Sequence, residues 1–291
     1  MLYVLYNINK ISGDFMEAEY LNLSEDDRKS LEYAAKLLEN PGILIRAMNT
    51  IGSPIETAIQ KLPAAISKQV NKAADMALNK AADLALSTLS RGGVSKEDSA
   101  ISEKMHKLAA GFSGAVGGLF GLPGILADLP ATTVLMLRSI MKTAQEYGED
   151  LSDPQTIAAC MEVFALGGNS KADDGSETGY YSVRYALSAS IRQAENYLAS
   201  QGSKGIADKS APALIRLIAN ISQRFGITVS EKAMAQAIPV IGAAGGAAIN
   251  IVFMNHFQDM ARGHFIVRRL ERKYGKQFIE DKYKEIKQNM R

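Results

Sequence analysis

The sequence predicts an all-α fold: a multi-helix bundle around two Gly/Ala-rich central helical segments, with no substantial sheet. Three observations carry this. Alternating apolar–polar runs longer than four residues are absent, apart from a weak one in the first ten residues, so strands leave no signature. Apolar residues instead recur at helical spacing, as Leu31, Ala34, Ala35, Leu37 and Leu38 do. Finally, residues 108–127 (LAAGFSGAVGGLFGLPGILA) and 233–255 (AMAQAIPVIGAAGGAAINIVFMN) are uncharged and crowded with small residues. Each is about as long as a bilayer-spanning helix.

The elements follow in order. Ser24 and Asp27 form a capping signal before the first apolar run, and Asn40-Pro41-Gly42 stops it. Gly52-Ser53-Pro54 and Pro63 mark further joints. Residues 64–89 read as one long helix carrying an octad twice, NKAADMAL at 71–78 and NKAADLAL at 79–86. Its charges balance, which favours a bundle helix over a membrane-surface one. A polar linker, Arg91–Ser99, leads to the first glycine-rich segment. A bend is expected at Leu122-Pro123-Gly124, then an apolar helix over 129–147. Ser152-Asp153-Pro154 starts a helix with Cys160, Glu162 and Phe164 that ends at Gly167-Gly168. A helix over 178–199 follows, and Pro212 opens another to about Arg224. Gly226 is expected to break that helix, with Ser230 and Glu231 beginning the next. The second glycine-rich segment then runs into a long helix through His256, His264 and Arg272.

This order divides the chain into an N-terminal extension (1–23), a helical domain (24–275) and a basic C-terminal tail (276–291). Met16 offers a second translation start, which would leave residues 1–15 without a structural role. The opening MLYVLYNINK lacks a basic n-region and a cleavage site, so no secretory signal is expected. A single cysteine, Cys160, rules out an internal disulfide and fits a reducing compartment.

Glycine recurs four apart at Gly114/Gly118, Gly117/Gly121 and Gly242/Gly246. That spacing lines one helical stripe with hydrogen atoms and admits another backbone or a lipid at close range. The two segments are therefore expected to pack together at the centre. Net charge is +2, so the whole chain is no polyanion binder, and no nucleic-acid partner is expected. Charge is uneven, however: residues 262–291 hold ten Lys/Arg against Glu271, Glu280, Asp281 and Glu285. Within that run Arg268, Arg269, Arg272, Lys273 and Lys276 are candidates for contact with anionic head groups, the alternative being a solvated helix end.

Several chemistries lack their motifs. GAVGGLFG at 114–121 has neither a preceding strand nor a following Gly-Lys-Ser/Thr. Ser113 misses the nucleophile-elbow pattern at Ala115, and no His-Glu-x-x-His occurs. What remains is NHFQDMARGHF at 255–265. His256 and Asp259 share a face about 60° apart, while His264 is rotated about 80° from His256. A metal ion would therefore need ligands from other helices, such as Glu162, Glu177 or His106. The candidate polar cluster is Glu162, Glu177, His256, Asp259 and His264, with a metal ion as an option and no other cofactor expected. The bland alternative pairs Asp259 with Arg262 on the helix surface. A second polar concentration is Asp173, Asp174 and Glu177, followed by Gly179-Tyr180-Tyr181 and Arg184.

Four blocks, 106–140, 149–168, 177–181 (ETGYY) and 238–275 (IPVIGAAGGAAINIVFMNHFQDMARGHFIVRRLERKYG), resemble the EcsC family over roughly residues 25–275. The matching positions are His106, Pro123, Asp128, Pro130, Arg138, Glu162, Glu177, Tyr180, Arg184, Asn250, His256, Asp259, Arg262 and His264. The resemblance implies a bacterial protein linked to ABC-transporter or secretion operons, and it carries no agreed catalytic residue. Two expectations follow. One is a membrane-associated accessory protein that binds a lipid or a membrane protein, lying in the cytoplasm at the inner face of the cell membrane rather than inserted in it. The other is a soluble helical enzyme built on the buried Glu/His/Asp cluster.

Overall fold

A computed structural model describes residues 22–39, 64–91, 121–168, 179–201, 210–237 and 239–290; for 64–67, 121–127, 235–237 and 239–249 it describes the backbone alone. All regular structure among these residues is helical: α1 (Glu25–Leu38), α2 (Ala64–Ser90), α3 (Gly121–Glu146), α4 (Pro154–Glu162) with a 3-10 turn (Val163–Ala165), α5 (Gly179–Gln201), α6 (Pro212–Ala237), α7 (Pro239–Tyr274) and α8 (Lys276–Asn289).

Local chemistry sets the helix starts. Ser24 caps α1 by accepting from the Asp27 amide at 3.2 Å. The reciprocal half of the capping box is not made: the Ser24 amide donates to Tyr274 Oη, and the Asp27 carboxylate serves α7 instead. Asp153 caps α4 through the Gln155 amide, and Pro154 takes the first position, where a missing N–H costs nothing.

Two expected interruptions do not occur. α3 is one helix from Gly121 to Glu146 through Pro123, Gly124 and Pro130, so the described end of the glycine-rich segment, 121–127, runs into the apolar helix without a loop. Pro123 lies in the first turn, where its missing N–H has no intrahelical partner to lose. Likewise α6 runs unbroken through Gly226. Glycine costs only about 1 kcal/mol inside a helix. The buried face of Leu214, Leu217, Ile221, Phe225, Val229 and Ala233 outweighs that.

α2 buries the small face of its repeated octad, Ala73, Ala74 and Ala77 and then Ala81, Ala82 and Ala85, against α3, α4 and α6. The bundle-helix reading of that repeat thus holds. α7 packs on α1, α3, α6 and α8. Phe164, Phe225, Phe253 and Phe257 form the aromatic centre where the 3-10 turn, α6 and α7 meet, with centroids 5.3–5.6 Å apart in four of the pairings. Lys232 ends this cluster, its amine 4.3 Å from the Phe253 centroid and lowered to about 8 by burial, against the pull of Asp128.

The glycine stripes are only partly in view. Gly114, Gly117 and Gly118 lie outside the described residues. Gly121 begins α3, and Gly242 and Gly246 sit in the helical backbone of α7, with their packing outside the described residues. α3 and α7 do pack on each other. A close glycine contact does appear at Gly263, where a Cβ would stand 2.7 Å from Leu38 Cγ and 3.2 Å from the Ala34 carbonyl oxygen of α1.

Candidate functional site

Three helices converge on Glu162, at the end of α4. Its Oε2 lies 3.7 Å from His264 Nε2 on α7, and both side chains are buried. On the other side of the ring, Tyr180 Oη of α5 meets His264 Nδ1 at 2.9 Å. Glu162 Oε1 and His264 Nε2 have no hydrogen-bond partner among the described residues. A separation of 3.7 Å is too long for a hydrogen bond, so a modest closure would let one proton sit between the two groups.

Burial pushes the Glu162 carboxyl above its ordinary range, with Arg184 and Arg268 opposing. Burial also drives the His264 imidazole well below its ordinary value, and Arg184 and Arg268 push the same way. Each shift favours an uncharged group, giving a desolvated acid beside a base, an arrangement suited to proton transfer.

A charged shell surrounds this pair. Arg184 Nη1 and Nη2 donate to the two Glu271 oxygens at 2.6 and 3.0 Å, and Tyr181 Oη donates to Glu271 Oε1 at 3.1 Å. The guanidinium lies 5.4 Å from the centroids of both Tyr180 and Tyr181. Tyr283 of α8 closes the outside, its ring 5.5 Å from Tyr180 and 5.3 Å from Tyr181.

The other candidates fall elsewhere. His256 is buried against the turn after α4: a Cβ at Gly167 would lie 2.5 Å from its Cε1. Asp259 faces Arg262 at 3.8 Å, the helix-surface pairing that spacing allowed. Glu177 and His106 lie outside the described residues. Among the described residues, no group of three or more His, Cys, Asp or Glu stands close enough to hold a metal ion. Burial holds the Cys160 thiol far above its ordinary range, which makes it a poor nucleophile.

Four of the expected head-group cations pair with carboxylates from outside α7, though Arg272 and Lys273 stay exposed, as does Lys276. Arg268 grips Glu149 with Nε and Nη2 at 2.9 and 3.1 Å, and Arg272 pairs with the same carboxylate and with the Tyr147 carbonyl oxygen. Arg269 and Lys273 reach the two oxygens of Asp27 at 3.3 and 2.7 Å, beside Tyr274 Oη at 2.8 Å. Lys276 sits 5.7 Å from the Tyr185 centroid. Asp27 and Glu149 are far away in sequence, so the charge run looked uncompensated when read linearly. Sequence reading singled out Glu162, His264, Tyr180 and Arg184, but missed Glu271, Glu149 and Tyr283. Nothing local marks those three; each acquires its role from a partner on another helix.

The fold and site define an all-α bundle whose last long helix is anchored by ion pairs around a desolvated Glu162–His264 pair. The chain belongs to the EcsC protein family, which matches residues 34–270. No curated protein and no solved structure matches it.

The Glu162 environment gives a pH prediction. A carboxyl raised above its unfolded value of 4.5 stabilises the fold below that value, and this contribution is lost as pH rises. Glu162→Gln keeps the shape without the ionisation. Its urea midpoint should match the wild type near about pH 4 and exceed it near about pH 8. A wild type that gains on the variant as pH rises would mean that the folded protein prefers the carboxylate.

Proposed function

We propose that this protein is a membrane-associated accessory module of bacterial transport or secretion, acting by holding a lipid or a membrane protein rather than by catalysis. The observation that carries this is the division of labour along α7. The helix has 36 residues, about 54 Å at the usual rise. Residues 239–255 carry no charge and are rich in Gly and Ala, and the exposed Ile251 lies at the end of that half. The half beyond is fixed from outside by Asp27, Glu149 and Arg184, the last through Glu271 of α7 itself.

Because the basic side chains hold internal carboxylates, attachment is assigned to the uncharged half rather than to the tail. No helix among the described residues is long and apolar enough to cross a membrane; the contact is proposed as peripheral because Asn250, within the uncharged half, would cost free energy facing acyl chains. Attachment through apolar surface is insensitive to screening. Full-length protein expressed in bacteria should stay with the membrane fraction after a high-salt wash and carry lipid when extracted with mild detergent. Complete recovery in the soluble fraction, without lipid, would sink this reading.

One observation favours a second reading, a helical enzyme: the acid, base and phenol of Glu162, His264 and Tyr180 gathered in a desolvated setting.

A further inference from the structure

We propose that α8 is a hinged cover over the Tyr180–His264–Glu162 trio, latched by Glu39 at the end of α1. The inference rests on the second reading above, in which the trio is a working site, and it supplies that site's regulation. Four observations point the same way.

First, α8 forms the outer wall. Tyr283 is fully buried against the rings of Tyr180 and Tyr181, and the Tyr180 hydroxyl touches His264. Second, the joint is built to turn. A single residue, Gly275, separates α7 from α8; its φ is +91°, and a Cβ there would meet nothing within 4 Å. The joint is therefore unobstructed as well as conformationally free.

Third, part of the grip is a polar latch. Ile279 and Tyr283 supply the fully buried apolar contacts. Phe278 and Ile286 pack half-buried beside them, and around these runs a rim of charge: Glu39 receives the Tyr283 hydroxyl at 3.0 Å and Lys287 at 2.7 Å, while Glu280 receives Tyr185 and Lys284. A 14-residue terminal helix held in part by such a rim can lift as a unit without global unfolding. Fourth, the family match ends at residue 270, so α8 lies beyond the matched segment while the trio it covers lies within it.

The test is the rate at which diethyl pyrocarbonate modifies His264 in the full-length protein, read by mass spectrometry. His256, which packs against Gly167 and Met260, serves as the internal control. Glu39→Lys removes the acceptor for Tyr283 and repels Lys287; Lys287→Glu repels Glu39. Each alone should speed His264 modification by about tenfold, leaving His256 within about twofold of wild type. Joining the two substitutions restores an opposite-charge pair and should bring His264 back toward the wild-type rate. The proposal is overturned if neither single variant changes His264, or if His264 and His256 accelerate together, since that reports loosening of the whole bundle. The readout needs neither substrate nor membrane, so it can fail while the membrane-attachment experiment succeeds, and the reverse.

Discussion

Arg184→Ala should destabilise the protein by about 3–5 kcal/mol, the usual cost of removing one partner from a buried ion pair. Arg184 and Glu271 are 12% and 10% exposed, and their two-point contact is supported by Tyr181. Deleting the guanidinium leaves the Glu271 carboxylate in a largely desolvated position with one phenol to hold it. It also strips the cation from two tyrosine rings. Chemical denaturation followed by circular dichroism measures the loss. Replacing both partners, as Arg184→Met with Glu271→Leu, should recover much of it, because the penalty lies in the unmatched charge. A single-variant loss below about 1 kcal/mol would mean that water reaches the pair and that the charged shell is a surface feature.

Gly167→Ala should cost about 3 kcal/mol. Two effects add. At φ +72°, a side chain brings about 1–2 kcal/mol of backbone strain. The new methyl would also stand 2.5 Å from His256 Cε1 and 2.8 Å from both His256 Nε2 and Met260 Sδ. His256 and Met260 are fully buried, so neither can swing away, and overpacking of this kind costs about 1–3 kcal/mol. Gly226→Ala makes the contrast. Its methyl would approach Asn71 Oδ1 at 2.8 Å, but Asn71 is exposed and its amide end can rotate. Alanine also gains up to about 1 kcal/mol of helix propensity at that site. The expected result is neutral to stabilising. Equal losses for the two variants would contradict the account of both positions.

The contrast also shows what sequence could reveal. Helix starts were legible where a capping side chain or a first-turn proline acts locally, as at Ser24 and at Asp153-Pro154. At Gly226 local propensity points to a break, but the buried face of α6 overrides it, and at Leu122-Pro123-Gly124 the helical backbone continues where the sequence suggests a bend. The rotation between His256 and His264 was legible from helical geometry: one faces Gly167, the other Tyr180 and Glu162. Within the basic run, Arg262 pairs with Asp259 as the spacing allows, but the partners of Arg268 and Arg269 lie beyond any local pattern. Arg269 meets Asp27 across 242 positions, and Arg268 meets Glu149 across 119. No periodicity connects residues so distant, so charges that look free in the sequence are anchors in the fold.

The chain contains no tryptophan, so a single one placed at Ile251, which is 49% exposed at the end of the uncharged half of α7, reports on that surface alone. The most direct measurement is the emission of Ile251→Trp in full-length protein titrated with phospholipid vesicles at high salt. The account predicts a shift to shorter wavelength and quenching by brominated acyl chains. Emission unchanged by vesicles of any composition, with quenching by aqueous iodide retained, would contradict it.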